Sequence, residues 1–360
     1  MRQGRIKAPG DPAHAFYHGI NRITDRLCQL APADKDMFVQ YMREYEIYCG
    51  VRLVTFNVMD DHFHIVLDVP RKPDTPLTDD ELLSRVESLS GSGGRKRTRQ
   101  LLTQFRLLGL NEAAEALRER HLVRMWSLSE YMKALEQRFT QWFNKAHDRS
   151  GTLWKSRFKS VLVESEGEAL ATVAAYVDIN AVRAKCKEDP THYRWCGYGQ
   201  AILGDARAQE GLRVVIAAEQ RVEPQSLSVS QAMDQYRRWF DEPGEQAEGT
   251  EQTGALTPEQ AMEIIRRDGT IAPKDYVKLS LRYFSDGLAV GSQIFINELL
   301  EVLRPRWRNR RDGAKRMLGV RSDNLYVLGK LRRDPIGWLN KAGRAGAGTK
   351  RANVTGLPSG

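Results

Sequence analysis

Two histidines that flank a phenylalanine are the residues of this chain best suited to hold a metal ion. His62 and His64 lie in an apolar, strand-like segment, in which side chains alternate between the two faces. We therefore expect both imidazoles side by side on one face and Phe63 on the opposite, apolar face. Two adjacent imidazoles can chelate a divalent cation. A structural or surface pair, or a metallohydrolase, would show the same spacing, so the pair needs a further partner.

Tyr176 and Asn180 offer additional chemistry. They are four residues apart in a segment predicted to be helical, so the phenol and the amide project from the same side, one turn apart. One helix could thereby present a nucleophilic oxygen and a metal-facing oxygen. Residues at this spacing more often serve packing or the surface, and the chemical interpretation depends on the rest of the chain.

The elements that would position the histidines form a strand-helix-strand-strand unit. Residues 14 to 22 alternate like a strand, and residues 52 to 69 have the pattern of two strands joined by a tight turn at Met59 to Asp61. A helix from Asp34 to Cys49 is predicted between them, because Met37, Tyr41, Tyr45 and Tyr48 recur at helical steps.

A second strand-helix pass would position Tyr176. A strand-like run starts at Gly151, and an apolar helix is predicted from Glu168 to Ala184. The two passes together predict an α+β fold, in which helices pack against a small antiparallel sheet.

The segment between the two passes has the composition of an insertion, over about residues 70 to 125. Residues 70 to 100 are polar and contain SGSGGRKRTRQ, which favours a flexible basic loop. A helix is predicted over residues 127 to 147, because Ser127 and Glu130 have capping-box spacing before an apolar stripe.

The chain after about residue 200 is predicted to be mainly helical and basic. Residues 241 to 254 have the composition of an acidic linker, and helical periods occur at 257 to 268, 292 to 303 and 312 to 319. The predicted organisation is a strand-and-helix unit at 1–200, a helical segment and linker at 201–255, a basic helical region at 256–345 and a disordered tail at 346–360.

The composition is that of a globular protein that favours polyanionic partners. Of 360 residues, 41% are hydrophobic and 28% are charged, which argues against a mostly disordered chain or a membrane protein. The formal net charge of +9 suits nucleic acid, although an ordinary basic surface would also produce it. The four cysteines include no CxxC pair, and no secretory or membrane-spanning run occurs. We expect reduced thiols and a cytoplasmic, nucleoid-associated protein.

Three segments resemble, in order, the signatures of the IS200-like single-tyrosine transposases, which include the transposases associated with repetitive extragenic palindromes (REPs). The segments are VMDDHFHIVLDVP, GTLWKSRFKSVLVE and AAYVDINAVRA, and the resemblance spans about residues 14 to 200. This family belongs to the HUH nucleases, named for two histidines around a hydrophobic residue. The segment YFSDGLAVGSQIF, residues 283 to 295, also resembles a downstream segment of longer members.

The resemblance implies a ferredoxin-like sheet with helices on one face, and cleavage and joining of single-stranded DNA beside a hairpin. It places the nucleophile at Tyr176 and the metal ligands at His62, His64 and Asn180, with Mg²⁺ or Mn²⁺ as the ion. Attack by the tyrosine on a phosphodiester would yield a 5′-phosphotyrosine and a free 3′ hydroxyl. The stored bond would allow a later rejoining of strands without ATP.

The chain departs from the family pattern at two places. Asn180 is followed by Ala181 where relatives commonly have proline, which should alter the end of the helix rather than the chemistry. Asp60 and Asp61 stand before His62 in place of the usual proline, which changes the expected turn. Asp60 could contact the metal, but a carboxylate that stabilises the turn is the simpler interpretation.

Basic residues around these motifs are the candidate DNA contacts. Arg157, Lys159 and Arg183 suit phosphate, although a solvated basic face would look the same. Trp154 could stack on a base or pack in the core. In the C-terminal region, the candidates are Arg304, Arg306, Trp307, Arg308, Arg310 and Arg311. Because these arginines crowd a short segment outside the HUH core, we expect that deletion after about residue 250 weakens DNA binding and its salt dependence and leaves the catalytic fold intact.

Three functional classes remain open at this level. The first is a transposase-like nuclease acting on hairpin-forming single-stranded DNA, as a monomer or a homodimer, and the second is a regulatory DNA-binding protein that keeps the fold without catalysis. The third, a metallohydrolase, lacks a second dense cluster of histidine or carboxylate ligands.

Overall fold

The structure is a computed structural model that describes residues 6–24, 29–180, 190–241, 283–306, 313–317 and 324–329. Its described strands form a seven-stranded sheet in the order β2-β3-β1-β4-β5-β7-β6. The strands are β1 (His14–Arg22), β2 (Arg52–Val58), β3 (His62–Pro70), β4 (Lys159–Val163), β5 (Ala289–Gly291), β6 (Ala314–Arg316) and β7 (Tyr326–Leu328). Neighbouring strands are antiparallel, except that β4 and β5 are parallel.

Helices surround this sheet. They are α1 (Pro32–Cys49), α2 (Asp79–Leu107), α3 (Asn111–Leu122), α4 (Leu128–Ala146), α5 (Glu168–Asp178), α6 (Gly197–Ile202), α7 (Ala206–Gln220), α8 (Val229–Asp241), α9 (Tyr283–Asp286) and α10 (Gln293–Leu303). The mixed α/β class predicted from the sequence is confirmed. None of the described helices is both long enough and apolar enough to cross a membrane.

The predicted strand-helix-strand-strand unit is present as β1, α1, β2 and β3. α1 ends where Gly50 adopts a left-handed conformation, with φ at 62°, a conformation that glycine enters without a steric penalty. α4 begins at the predicted cap, where the Ser127 side chain accepts from the backbone N–H of Glu130. The strand-like run after Gly151 is shorter than predicted, because regular pairing starts only at β4.

The sheet is covered on both faces, whereas the resemblance implied helices on one face only. α1 and α4 contribute to a core that contains Phe38 and Phe63, and α5 contributes to a second core that contains Val66. Both faces of β3 are covered, because its residues from Phe63 to Val69 are all buried. The apolar face carries Phe63, whereas the other face carries buried polar side chains, among them His64 and Asp68.

The insertion is helical, so the prediction of a flexible basic loop is wrong. α2 begins at a capping box formed by Thr78 and Glu81, and its helical course breaks at Gly91, with φ at 64°. The residues after the break return to pair with those before it: Arg99 binds Asp80 at 2.7 Å, and Arg106 binds Asp79. These ion pairs neutralise part of the positive charge after Gly91, for which the sequence alone shows no partner.

The C-terminal region extends the same sheet. The backbone N–H of Leu162 in β4 donates to the carbonyl of Leu288 at 3.0 Å, and the Glu164 carboxylate accepts from the hydroxyl of Ser292 at 2.8 Å. The C-terminal segment therefore pairs directly with β4, and the effect of a deletion after residue 250 on the fold stays a prediction. The helix predicted at residues 312 to 319 is also wrong, because β6 lies there. The helix at 257 to 268 and the tail at 346 to 360 lie outside the described residues.

Candidate active site

The two histidines of the HUH motif lie on one face of β3, as their spacing predicts. Their ring centroids are 5.2 Å apart. Phe63 enters the opposite core, where its ring lies 4.9 Å from that of Phe38 and 5.3 Å from that of Trp154. The apolar residue between the histidines therefore anchors the strand, and the two imidazoles occupy the other face together.

An aspartate determines the orientation of the first imidazole. Nδ1 of His62 lies 2.5 Å from a carboxylate oxygen of Asp61, and the Arg22 guanidinium lies 3.4 Å from the other oxygen. The hydrogen bond from His62 lowers the pKa of Asp61, so the carboxylate is ionised at neutral pH and can only accept. Nδ1 therefore carries the proton, and the lone pair of the neutral ring is on Nε2, the arrangement seen in carboxylate-histidine-metal sites.

A second histidine orients the other imidazole. Nε2 of His18 lies 2.9 Å from Nδ1 of His64, and Nδ1 of His18 lies 3.0 Å from the carbonyl oxygen of Phe284. Burial lowers the pKa of His18 to about 4, so its ring is neutral and has one N–H. The carbonyl can only accept, so that N–H is on Nδ1 and His64 is the donor of the contact between the rings.

Tyr176 lies against this pair of histidines. α5 places its ring 5.8 Å from the ring of His64 and 6.0 Å from that of His18, edge to face. The phenol ring also packs against Phe284, with ring centroids 4.6 Å apart. The side chain is 5% exposed. Two residues singled out independently in the sequence, His64 and Tyr176, are thus neighbours in the fold.

Asn180 is buried one turn beyond Tyr176. Its Nδ2 donates to the carbonyl oxygen of Tyr176 at 2.7 Å, so Oδ1 is the amide atom that could face a metal. Within the described ranges, no group of three or more His, Cys, Asp or Glu side chains could hold a metal ion. A metal here would therefore depend on the two imidazoles, an amide oxygen and ligands from the substrate or water.

The end of α5 is fixed to β2 by a buried polar network. Nδ2 of Asn57 donates to the carbonyls of Val177 and Asp178, at 3.0 Å each. The Asp178 carboxylate accepts from the hydroxyls of Thr55 at 2.7 Å and Tyr236 at 2.5 Å. Burial raises the pKa of Asp178 to about 6. This network determines where the helix presents Tyr176.

One atom of this network is unsatisfied. Oδ1 of Asn57 is buried and has no hydrogen-bond partner among the described residues, and Asn57 is the register partner of His64. A buried acceptor without a donor is unfavourable by about 1 to 3 kcal/mol. A cation or an ordered water beside His64 would satisfy this oxygen. The imidazole nitrogens and amide oxygens of this region are therefore a set of ligand atoms that fits a metal site.

No family model and no curated protein matches this chain. Among solved structures, the chain is similar to one described as a REP-associated tyrosine transposase bound to a REP hairpin. The identity is 10%, the match covers 57% of this chain and 87% of that chain, and the TM-score is 0.36. A likeness at this level does not assign a function. A functional proposal must be supported by the geometry of the site.

The candidate DNA contacts divide into three groups. Lys159 and Arg157 are exposed around the buried Phe158, and Lys159 pairs with Ile20, which in turn pairs with His64, so Lys159 and His64 share a face. Arg304 is exposed and binds Glu301 at 2.9 Å. The remaining candidates lie outside the described residues, or their side chains do: Arg183, Arg306, Trp307, Arg308, Arg310 and Arg311.

Two alternatives raised by the sequence are decided by contacts. Asp60 binds the buried Lys35 at 2.5 Å, which supports the turn interpretation over a metal contact. Trp154 is buried, and its indole N–H donates to the carbonyl oxygen of Glu136 at 3.1 Å, so it is a core residue. Neither side chain belongs to the candidate site.

Sequence reasoning missed most of the residues that surround the two histidines. They are His18, Arg22, Asn57, Asp178 and Phe284. The signal for His18 was a histidine in the middle of a short strand-like segment, where an uncompensated polar group is unexpected. The others become relevant only through strand register and long-range contacts.

Proposed function

We propose that this protein is a metal-dependent nuclease that cleaves single-stranded DNA with Tyr176 as its nucleophile. The observation that carries the proposal is the position of the Tyr176 ring, 5.8 Å from the ring of His64, beside imidazoles whose Nδ1 atoms are both held by internal acceptors. Such a site brings a phenol oxygen and metal-binding lone pairs together.

The residues that would hold Mg²⁺ or Mn²⁺ are His62 and His64 through Nε2, and Asn180 through its amide oxygen. These few protein ligands leave coordination positions for phosphate oxygens and water, as in many metal-dependent phosphoryl-transfer sites. The bound cation would polarise the scissile phosphate and offset its developing negative charge.

The side chains would divide the reaction between them. The Tyr176 oxygen forms a bond to phosphorus, the bond from phosphorus to the 3′ oxygen breaks, and the proton lost by the phenol balances the proton gained by the leaving 3′ oxygen. The products are a 5′-phosphotyrosine and a free 3′ hydroxyl. Asn57 and Asp178 would position the nucleophile through the end of α5, because they hold that helix end against β2.

The sheet topology supports this proposal. β1, α1, β2, β3, α4 and β4 follow in this order along the chain, with α2 and α3 inserted before α4, and the four strands have the antiparallel order β2-β3-β1-β4. We infer a ferredoxin-like core, in which the second helix packed beside α1 is α4. The substrate would approach along the face that Lys159 shares with His64, with Arg157, Arg183 and the C-terminal arginines as further phosphate contacts.

A second candidate function is DNA binding without catalysis, the simplest role for a basic protein that keeps this core. The observation in its favour is the burial of Tyr176, which is 5% exposed, whereas a nucleophile must reach phosphate. The two candidates make opposite predictions for covalent chemistry.

The distinguishing experiment uses hairpin DNA with single-stranded flanks, labelled at either end, with the full-length protein and Mn²⁺. Cleavage should give a labelled fragment with a free 3′ hydroxyl, and a protein-linked fragment that carries the other label and enters a denaturing gel only after proteolysis. Hairpin binding without either product would support the non-catalytic candidate and contradict the nuclease.

A further inference from the structure

A backbone carbonyl from the C-terminal region reaches the candidate metal site. Phe284 is buried in α9, far along the chain from the HUH motif, and its carbonyl oxygen accepts from Nδ1 of His18 at 3.0 Å. His18 is 0% exposed. The contact joins the first strand of the sheet to the segment that leads into β5.

The direction of this contact decides the protonation of the next ring. A neutral imidazole has one N–H and one lone pair. Because the Phe284 carbonyl requires the N–H on Nδ1 of His18, the lone pair is on Nε2, the atom 2.9 Å from Nδ1 of His64. His64 must then donate from Nδ1, and its own lone pair is on Nε2.

We propose that Phe284 and His18 act as positioning residues, which hold His64 in the Nδ1–H tautomer that can bind a metal through Nε2. In this arrangement the C-terminal segment completes the metal site of the HUH unit. The proposal rests on the proposed function insofar as His64 is a metal ligand, but the tautomer itself is a property of the metal-free protein.

The segment is well attached to the sheet beside the site. Beyond the contact of Leu162 with Leu288, the backbone N–H of Glu164 donates to the carbonyl of Val290 at 2.9 Å. The Glu164 carboxylate accepts from Ser292 at the start of α10. Strand pairing therefore holds the segment that follows Phe284 beside β4, and the ring of Phe284 packs on Tyr176.

Phe284, in the C-terminal region, thus has two roles at the candidate site. The carbonyl of Phe284 acts on the metal ligand through His18, while its ring supports the nucleophile. Residues 283 to 292 are therefore a structural part of the nuclease, not an appended nucleic-acid-binding module.

The tautomer can be measured directly in full-length protein labelled with ¹⁵N in the histidine rings. The chain has seven histidines, so the ring nitrogen signals can be assigned by single substitution. At about pH 8, where imidazoles of ordinary pKa are neutral, we expect both His18 and His64 to be protonated at Nδ1 in the absence of metal. Protonation of His64 at Nε2 would overturn the proposal, even if the protein cleaves DNA.

Metal affinity gives a second, independent test with a matched control. His18→Phe keeps a ring but removes the acceptor, and should weaken Mn²⁺ binding measured by calorimetry by about 10- to 100-fold, as changes to residues that orient metal ligands do. His18→Gln offers a carbonyl oxygen to His64 and should recover part of that loss. His14→Phe, the same change on the same strand, should have no effect, because His14 binds Asp68 instead.

The outcomes distinguish the positioning role from the nuclease activity. Equal Mn²⁺ affinities for the His18→Phe and His14→Phe proteins would overturn the positioning role, whatever the nuclease result. If His18→Phe fails to fold, two other measurements test the positioning role. They are the tautomer of His64 in the wild-type protein and the Mn²⁺ affinity of the His18→Gln protein. A protein with the expected tautomer and Mn²⁺ affinity but no cleavage would overturn the proposed function alone.

Discussion

The phenol ring of Tyr176 lies 5.8 Å from the imidazole ring of His64, and the two ring planes are nearly perpendicular, at 87°. The tyrosine comes from a helix that follows β4, and the histidine comes from β3. Their contact brings the best nucleophile candidate to the best metal-ligand candidate. If the site is catalytic, both residues and those that hold them in place should respond to substitution in distinct ways.

Replacement of the nucleophile should separate cleavage from binding. Tyr176→Phe removes the phenol oxygen but keeps the ring that packs on Phe284, so we expect cleavage to be abolished and hairpin affinity to change less than about threefold. Cleavage assays and binding titrations on the same hairpin measure the two effects. Undiminished cleavage would remove Tyr176 from the mechanism.

Removal of either imidazole should eliminate metal-dependent cleavage. His62→Ala and His64→Ala each delete one lone pair from a site with few protein ligands, so the remaining residues could not position a cation on the phosphate. The assay is cleavage over a Mn²⁺ titration, with a chelator control on the wild-type protein. Wild-type activity that survives complete chelation would show that no metal is needed.

The carboxylate beside His62 should tune metal affinity. Asp61→Ala removes the acceptor that holds the proton on Nδ1 of His62, so we expect Mn²⁺ affinity to fall by about 10- to 100-fold. Asp61→Asn keeps an acceptor oxygen and should weaken binding less.

The neighbouring aspartate is the matched control for this prediction. Asp60 binds Lys35 instead of a histidine, so Asp60→Asn should leave Mn²⁺ affinity unchanged. A decrease of the same size in the Asp60 and Asp61 variants would mean that turn structure, rather than the hydrogen bond to His62, controls the site.

The buried carboxylate that anchors α5 should make stability depend on pH. Burial raises the pKa of Asp178 from 3.8 to about 6, so between these values the folded protein holds the proton more tightly than the unfolded chain. The contribution of Asp178 to the free energy of unfolding therefore falls as pH rises through this window, and is constant above it.

Urea denaturation of the wild-type and Asp178→Asn proteins over that pH range measures the effect, because other titrating groups cancel in the difference. The stability of wild type relative to Asp178→Asn should decrease with rising pH. Parallel curves would contradict the assignment. Asp178→Ala should destabilise the fold by about 3 kcal/mol or more, because it leaves the Thr55 and Tyr236 hydroxyls buried without their acceptor.

The arginines after α10 should contribute a salt-dependent part of DNA affinity. Because the C-terminal strands belong to the sheet, substitutions test this better than truncation: Arg308→Gln, Arg310→Gln and Arg311→Gln are combined in one protein. Each arginine–phosphate interaction that the substitutions remove should lower the slope of log affinity against log salt by about 0.7 on a single strand. Identical slopes for the wild-type and triple-substituted proteins would assign these arginines to a solvated surface.

The sequence predicted the parts of the site that depend on local periodicity. Alternation in a strand places His62 and His64 on one face, and the helical pattern places Tyr176 and Asn180 one turn apart. The partners of these residues depend on strand register: His18 meets His64 only because β1 lies between β3 and β4, and no local pattern contains that order.

Two differences between sequence and structure outside the site also have physical causes. The basic stretch after Gly91 looks like a loop because its compensating carboxylates, Asp79 and Asp80, lie before the break rather than beside it. The C-terminal region looks separate in the sequence because an acidic stretch precedes it. Its short strands and the carbonyl of Phe284 acquire their role only when they pair beside β4.

The most direct test of the central claim is the identification of the residue joined to DNA. The full-length protein is incubated with a hairpin substrate and Mn²⁺, denatured and digested with protease, and the peptide that carries the nucleotide is sequenced by mass spectrometry. We expect a phosphotyrosyl linkage between Tyr176 and the 5′ phosphate, absent from the Tyr176→Phe protein. A linkage at another residue, or cleavage with no covalent adduct at any time point, would contradict the proposed mechanism.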